Sequence, residues 1–178
     1  REQLRTHGFD VATHPTGAIR AAGPRGIYDL AAYREGRVEI QDLASQAIGS
    51  AVAARPGQVV WDCCAGGGGK TLQLAATLDN RGAVHASDVR EYKLQDLRQR
   101  VRRAGFHNVR TFVWDGRGPA PLEREVEKRG GFDWVLVDAP CSGSGTWRRN
   151  PDGRLRVGAD DVATVTALQR TILAGAQA

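Results

Sequence analysis

The stretch Gln58-Val59-Val60-Trp61-Asp62-Cys63-Cys64-Ala65-Gly66-Gly67-Gly68-Gly69-Lys70-Thr71 decides how this chain is read. A short apolar run ending on an acid is the pattern of a strand buried on both faces. Four consecutive glycines then remove every side chain from a turn, and Lys70-Thr71 opens a helical segment over 70–78. A second strand over 83–87 ends at Asp88, nineteen residues past Gly69.

Working outward, residues 38–54 place Ile40, Leu43, Ala47, Ile48 and Val52 at helical spacing, and Pro56-Gly57 ends that helix. Residues 91–104 read as a helix with Leu94, Leu97, Val101 and Ala104 on one face. Lys93, Arg98, Arg100, Arg102 and Arg103 occupy the other. A third strand covers 108–113, ahead of Asp115-Gly116. A loop with a short polar helix covers 119–131, and a fourth strand covers 132–138. A closing helix over 160–174 should turn Val162, Val165, Leu168 and Ile172 inward. Strands alternating with helices predict an α/β, Rossmann-like fold with a parallel sheet covered on both faces. Counting these four strands, the expected order is 3-2-1-4. Residues 1–34, with Gly17, Gly23, Pro24 and Gly26 and no periodicity, read as an irregular lead-in or the remnant of an upstream domain. Residues 35–178 read as one domain, incomplete at its C-terminal end.

Composition narrows the function classes. The 178 residues carry a net charge of +5, with 41% hydrophobic residues, 22 glycines and no methionine. That balance is too apolar for disorder, and no apolar run approaches the roughly 20 residues of a membrane helix. A chain that begins at Arg1 and contains no Met is expected to be a piece of a longer one. Only three of the 25 basic residues are lysines, a ratio that a GC-rich genome explains, so the charge alone is weak support for a nucleic-acid partner. The cysteines are Cys63, Cys64 and Cys141. An odd count with two adjacent makes neither a disulfide framework nor a zinc site, so no metal is expected and a reducing cytoplasm is the default.

Strand, glycine loop, helix, strand and acid form the layout of a nucleotide-cofactor site. A dinucleotide fingerprint fails, because the sixth position counted from Gly66 is Thr71 and from Gly67 is Leu72. A P-loop matches only at Gly69-Lys70-Thr71, since its first glycine would fall on Cys64. S-adenosylmethionine (SAM) has no phosphate to wrap. It needs bare backbone, an acid for the ribose and an acid beside the adenine, which Gly66–Gly69, Asp88 and Asp115 could supply. Four acids at strand ends, Asp62, Asp88, Asp115 and Asp138, support that layout together, although each alone could cap a helix or sit in a solvated turn.

The fourth strand delivers Asp138-Ala139-Pro140-Cys141-Ser142-Gly143 to the same sheet edge. Cys141 there can act as a nucleophile or in proton transfer, whereas Cys63 and Cys64 suit plain burial. Trp147, Arg148, Arg149, Arg154 and Arg156 follow with a single acid, Asp152. Such a cluster can hold phosphates and stack a base, and its position beside Cys141 favours that role over a solvated loop.

Three blocks resemble the Nop/Sun-type RNA cytosine-5 methyltransferases, and within them the bacterial branch acting on small-subunit ribosomal RNA. They are residues 35–46 (Glu-Gly-Arg-Val-Glu-Ile-Gln-Asp-Leu-Ala-Ser-Gln), 62–71 and 138–143, the last with its Trp-Arg-Arg-Asn-Pro tail. Gly66-Gly67 depart from the family's usual Ala-Pro. The resemblance implies a class I SAM-dependent fold and an RNA substrate, ribosomal in the first instance and transfer RNA in the second. A module that binds SAM or RNA without catalysis stands as the non-enzymatic alternative. Cys64, Ala65, Gly66, Gly67, Gly68, Gly69, Lys70, Asp88, Asp115 and Asp138 are implied to line the cofactor site. Lys70, Asp138 and Cys141 are implied to face the target cytosine. In the family Cys141 would assist release, and a later Thr-Cys-Ser-type motif would supply the attacking thiolate. No cysteine follows Cys141 in this sequence, so either that motif belongs to a longer chain or Cys141 itself attacks.

Overall fold

In a computed structural model, residues 1–23, 26–120 and 124–177 are described. Pro24 and residues 121–123 of the expected 119–131 loop lie outside them.

The central sheet is parallel. Strand β3 (Val59–Asp62) pairs with β4 (Ala83–Asp88) on one side and β6 (Trp134–Leu136) on the other, and β4 pairs with β5 (Val109–Val113). The order is therefore β5-β4-β3-β6. Two N-terminal strands that the sequence pattern did not reveal, β1 (Asp10–Thr13) and β2 (Ile19–Ala22), form a separate antiparallel hairpin and raise each strand number by two. All residues of β3 and β4 are buried; β3 accordingly reads as an apolar run ending on Asp62, whereas β4 buries His85, Ser87 and Asp88 beside its small apolar residues.

Alternate residues of each strand feed opposite layers. Val60, Val84 and Leu136 pack with Leu74 and Ala75 of α4 (Gly69–Thr77) and with Leu78, which caps its C-terminus. Ala86 packs with Leu94, Leu97 and Val101 of α5 (Glu91–Arg103). On the reverse face Trp61 and Cys63 meet Trp114 and Ile172, the latter from α7 (Ala159–Gln177). Val59 and Ala83 meet Val126 of α6 (Arg124–Arg129). Trp61 donates to the Ser87 hydroxyl (2.9 Å), which donates to the Cys63 carbonyl (3.1 Å), so the buried indole N–H is satisfied across the two central strands.

Four expectations are corrected. Residues 1–34 are not an irregular lead-in: α1 (Glu2–Thr6), the β1–β2 hairpin and the short helix α2 (Ala31–Arg34) surround a small apolar cluster of Leu4, Phe9, Val11 and Leu30. The helix expected over 38–54 is α3 (Leu43–Ala51), because the Asp42 carboxylate accepts from the Ala44 amide (2.9 Å) and caps it there. Ile40, Leu43 and Ile48 are exposed, and of that apolar set Val52 is the buried one. The fourth strand covers three residues, not 132–138, although Asp133 N–H to the Val59 carbonyl and Cys63 N–H to the Leu136 carbonyl extend its bonding. In α7, Val162 and Leu168 point to solvent. The helix meets the sheet through Ile172 and Gly175, which sits against Trp114 and the carbonyls of Gly116 and Gly118.

Two glycines separate backbone strain from crowding. At Gly82 (φ +94°) a Cβ would stand 2.1 Å from the Gln58 carbonyl oxygen, while at Gly105 (φ +70°) it would meet nothing within 4 Å. Gly105→Ala should cost about 1–2 kcal/mol from the left-handed conformation alone. Gly82→Ala should cost a further 1–3 kcal/mol, roughly, as β3 and β4 are forced apart. Urea unfolding of the two variants measures the difference, and equal losses would refute the close approach at Gly82.

Candidate functional site

Because the strands are parallel, their C-terminal ends fall on one edge, and the four candidate acids are distributed along it. Asp62 ends β3 and is 1% exposed. Its Oδ2 accepts from the Thr71 hydroxyl at 2.7 Å, tying the end of β3 to the first turn of α4. Its Oδ1 is buried with no hydrogen-bond partner among the described residues. Burial, with a smaller push from the Asp138 charge, raises the Asp62 carboxyl from 3.8 to about 6, against the Thr71 hydrogen bond and the Lys70 charge.

Between these anchors the loop is bare. Gly66 (φ +53°) and Gly68 (φ +86°) adopt the left-handed conformation. A Cβ on Gly68 would strike the Leu97 side chain at 2.1 Å, so the loop sits directly on α5. A Cβ on Gly66 would meet open space, so that part of the backbone is accessible to a ligand. The Gly66 amide donates to Asp88 Oδ2 (3.0 Å) and the Ala65 amide to the Ser87 carbonyl (2.8 Å), which draws the loop against the end of β4.

Asp88 is buried and accepts from the Arg90 amide (2.9 Å), Arg90 Nε (2.9 Å) and one Arg90 terminal nitrogen (3.2 Å). Burial works against its charge, but these bonds and the guanidinium outweigh it and hold the carboxyl below its usual value. Asp115 lies exposed just beyond β5, with Oδ1 accepting from the Arg117 amide (2.9 Å). Beyond β6, Asp138 Oδ2 accepts from Lys70 Nζ at 2.6 Å. The lysine is largely buried and the carboxylate half-exposed, so the pair presents its acidic side to solvent. That engagement with a neighbouring strand end differs from a lysine kept for phosphates.

The three cysteines separate as their contexts demand. Cys63 is buried on the Trp61 and Trp114 face, Cys64 is half-buried in the loop and Cys141 is exposed. A hydrogen bond to Cys64, reinforced by burial, pushes the Cys63 thiol far up, and the same bond lowers Cys64. Gln169 of α7 donates to the Pro140 carbonyl (2.8 Å) and steadies the turn that carries Cys141.

Of the residues singled out for RNA, Arg148 and Arg154 are exposed and Trp147 is half-buried beside Gly153. Arg149 is already committed, donating to Asp42 Oδ2 at 2.6 Å and holding that carboxyl below its usual value. One partnership escaped the sequence reading. Arg100 donates to the Gly67 carbonyl, and both Arg100 and Arg103 pair with Glu39 from the 35–46 block. A surface cavity of about 530 Å³ lies there, lined by Gly67, Lys93, Asp96, Gln99, Arg100 and Arg103 and by none of the strand-end acids.

The sequence profile described as 16S rRNA methyltransferase RsmB/F matches residues 50–178. The chain belongs to the RsmB/F family. It is similar to the probable ribosomal RNA small subunit methyltransferase B of Synechocystis sp., with 33% identity over 92% of this chain and 36% of the relative. It is similar also to ribosomal RNA small subunit methyltransferase B of Vibrio cholerae, with 34% identity over 84% of this chain and 33% of the relative. The chain thus spans about a third of the length of these curated relatives. Among solved structures, PH0851 superposes with a TM-score of 0.89 at 32% identity, covering 99% of this chain and 39% of the other. A methyltransferase homolog protein from Pyrococcus horikoshii gives 0.75 at 28% identity, covering 98% and 53%. The matched span, residues 50–178, contains the blocks at 62–71 and 138–143.

A pH-dependent consequence follows from Asp62. An acid with a folded pKa near 6 and an ordinary value of 3.8 binds more protons folded than unfolded between those limits. Its contribution to stability therefore falls as pH rises from about 4 to about 6, by about 3 kcal/mol, and stays low above that. Relative to wild type, Asp62→Asn should gain that amount across the same interval in urea unfolding. A pH-independent difference would mean that Asp62 ionises normally.

Proposed function

We propose that residues 35–178 are part of a SAM-dependent methyltransferase domain whose intact protein methylates C5 of cytosine in RNA, with small-subunit ribosomal RNA as the substrate. The observation that carries this reading is the shared edge: glycine loop, Asp88, the Lys70–Asp138 pair and the Pro140-Cys141 turn, in a chain of the RsmB/F family. The curated relatives, named for ribosomal RNA small subunits, support the choice of RNA. Three unpaired cysteines support a reducing compartment, the cytoplasm.

The residues present fit the cofactor. Gly66–Gly69 give a ligand access to bare backbone, with Cys64 and Ala65 leading into it and the open space at Gly66 leaving room. Asp88 would hold ribose hydroxyls and Asp115 the adenine edge. Bound SAM supplies an electrophilic methyl group for C5.

C5 of cytosine is a poor nucleophile until a thiolate adds at C6 and converts the ring to an enamine. Asp138 serves that addition by holding a proton at N3, and Lys70, at 2.6 Å, orients its carboxylate. After transfer, solvent water takes the C5 proton, the C6–sulfur bond breaks with its electron pair returning to the thiolate, and Asp138 takes back the N3 proton, which regenerates the aromatic ring. Exposed Cys141, on the rigid Pro140 turn, acts in this release, and the attacking thiolate comes from a part of the intact protein beyond these residues. Trp147, Arg148, Arg149 and Arg154 guide the RNA strand, with Arg149 exchanging Asp42 for phosphate.

Calorimetry with SAM, ATP and NAD should give heat for SAM alone; binding of ATP but not SAM would overturn the cofactor assignment. In the intact protein, Cys141→Ser should trap a covalent protein–RNA complex that survives denaturing electrophoresis. Loss of every adduct would instead make Cys141 the attacking group. Asp138→Asn should lower kcat by about 10²–10⁴ while leaving the affinity for SAM within a fewfold.

A further inference from the structure

We infer that Arg90 sets the affinity for the cofactor by competing with its ribose for the Asp88 carboxylate. This rests on the cofactor assignment above. A carboxylate offers about four acceptor positions. At Asp88 the protein uses all four: Oδ1 takes the Arg90 amide and Arg90 Nε, while Oδ2 takes the Gly66 amide and an Arg90 terminal nitrogen.

Two of these donors are backbone amides, fixed by the glycine loop and the start of α5. The other two belong to one mobile group, the Arg90 guanidinium, whose side chain is half-exposed while that of Asp88 is 6% exposed. A ribose diol donates two hydrogen bonds. It finds room at Asp88 only when those two side-chain donors leave, one from each oxygen. The guanidinium can leave because Asp88 is its principal partner, Tyr92 being a lesser neighbour, and because the residue caps α5 through its backbone rather than its side chain. The exchange conserves hydrogen bonds at Asp88 and removes a positive charge from it. The cofactor therefore binds against a standing ion pair, and its apparent dissociation constant is the intrinsic one divided by the fraction of molecules in which the pair is open.

The test is calorimetric titration with S-adenosylhomocysteine and with its 2′,3′-dideoxy analogue. Arg90→Ala retains the backbone donor and should bind S-adenosylhomocysteine at least about two- to fivefold tighter, the worth of an exposed ion pair, since here only the Arg90 side is exposed. Arg90→Met, which keeps the aliphatic stem, should do the same if the alanine variant folds poorly. The dideoxy analogue cannot use the freed acceptors and should bind wild type and variants alike. Raising salt should tighten binding to wild type, because it screens the competing pair, and should leave the variants unchanged. Unchanged or weaker binding of S-adenosylhomocysteine to both variants overturns the competition and makes Arg90 a positioning partner of Asp88. Failure of wild type and variants alike to bind either ligand overturns the cofactor assignment instead.

Discussion

The hydrogen bond from Thr71 to Asp62 is the contact on which the site depends. The glycine loop has no side chains with which to define its own path, so its geometry must be imposed at its ends. Thr71 and Asp62, 0% and 1% exposed, supply the link between β3 and α4. With the first turn of α4 held there, Lys70 projects toward β6 and meets Asp138, whose position is set by a different strand. The cost is a carboxylate taken out of water, visible in its raised pKa. Thr71 and the Lys70 charge offset part of that penalty, while the nearby Asp138 charge adds to it. A bare glycine loop and a desolvated buried acid are thus two sides of one arrangement.

A second brace acts from outside the sheet. Residues 35–46 wrap over α5 and α4, with Gly36 packed closely on the Arg103 carbonyl and Gln41 donating to Gln73 Oε1. Glu39 holds Arg100 and Arg103, and Arg100 reaches on to the Gly67 carbonyl. The block that carries part of the family resemblance therefore reaches the glycine loop in two ways, through α5 at Gly67 and directly where Gln41 lies against Gly69. Its role here is to fix the far side of the loop while Asp62 and Asp88 fix the near side.

Legibility followed burial. Strand β3 was readable because burial on both faces demands continuous apolar residues, and α5 because its charged and apolar faces separate cleanly. The N-terminal hairpin was not: each of its strands has four residues, and only Val11 among them is buried, so no alternation emerges. Local capping defeated periodicity at α3, where Asp42 starts the helix five residues after the apolar spacing suggested. In α7 the apolar positions at Val162 and Leu168 keep helical spacing, yet the helix approaches the sheet only near Ile172 and Gly175, where Gly116 and Trp114 allow close contact.

By itself the sequence determined the alternation of strands and helices, the glycine loop, and the presence of an acid at each strand end, because these are local patterns of burial and backbone freedom. Only the tertiary structure decided which acid does what. Asp62 became a buried anchor, Asp88 a carboxylate already claimed by Arg90, Asp115 a solvent-facing cap of its own turn, and Asp138 the partner of Lys70. The same side chain takes each role according to its desolvation and the cation that reaches it, and the reach across 68 residues from Lys70 to Asp138 exists only once parallel strands bring their ends together.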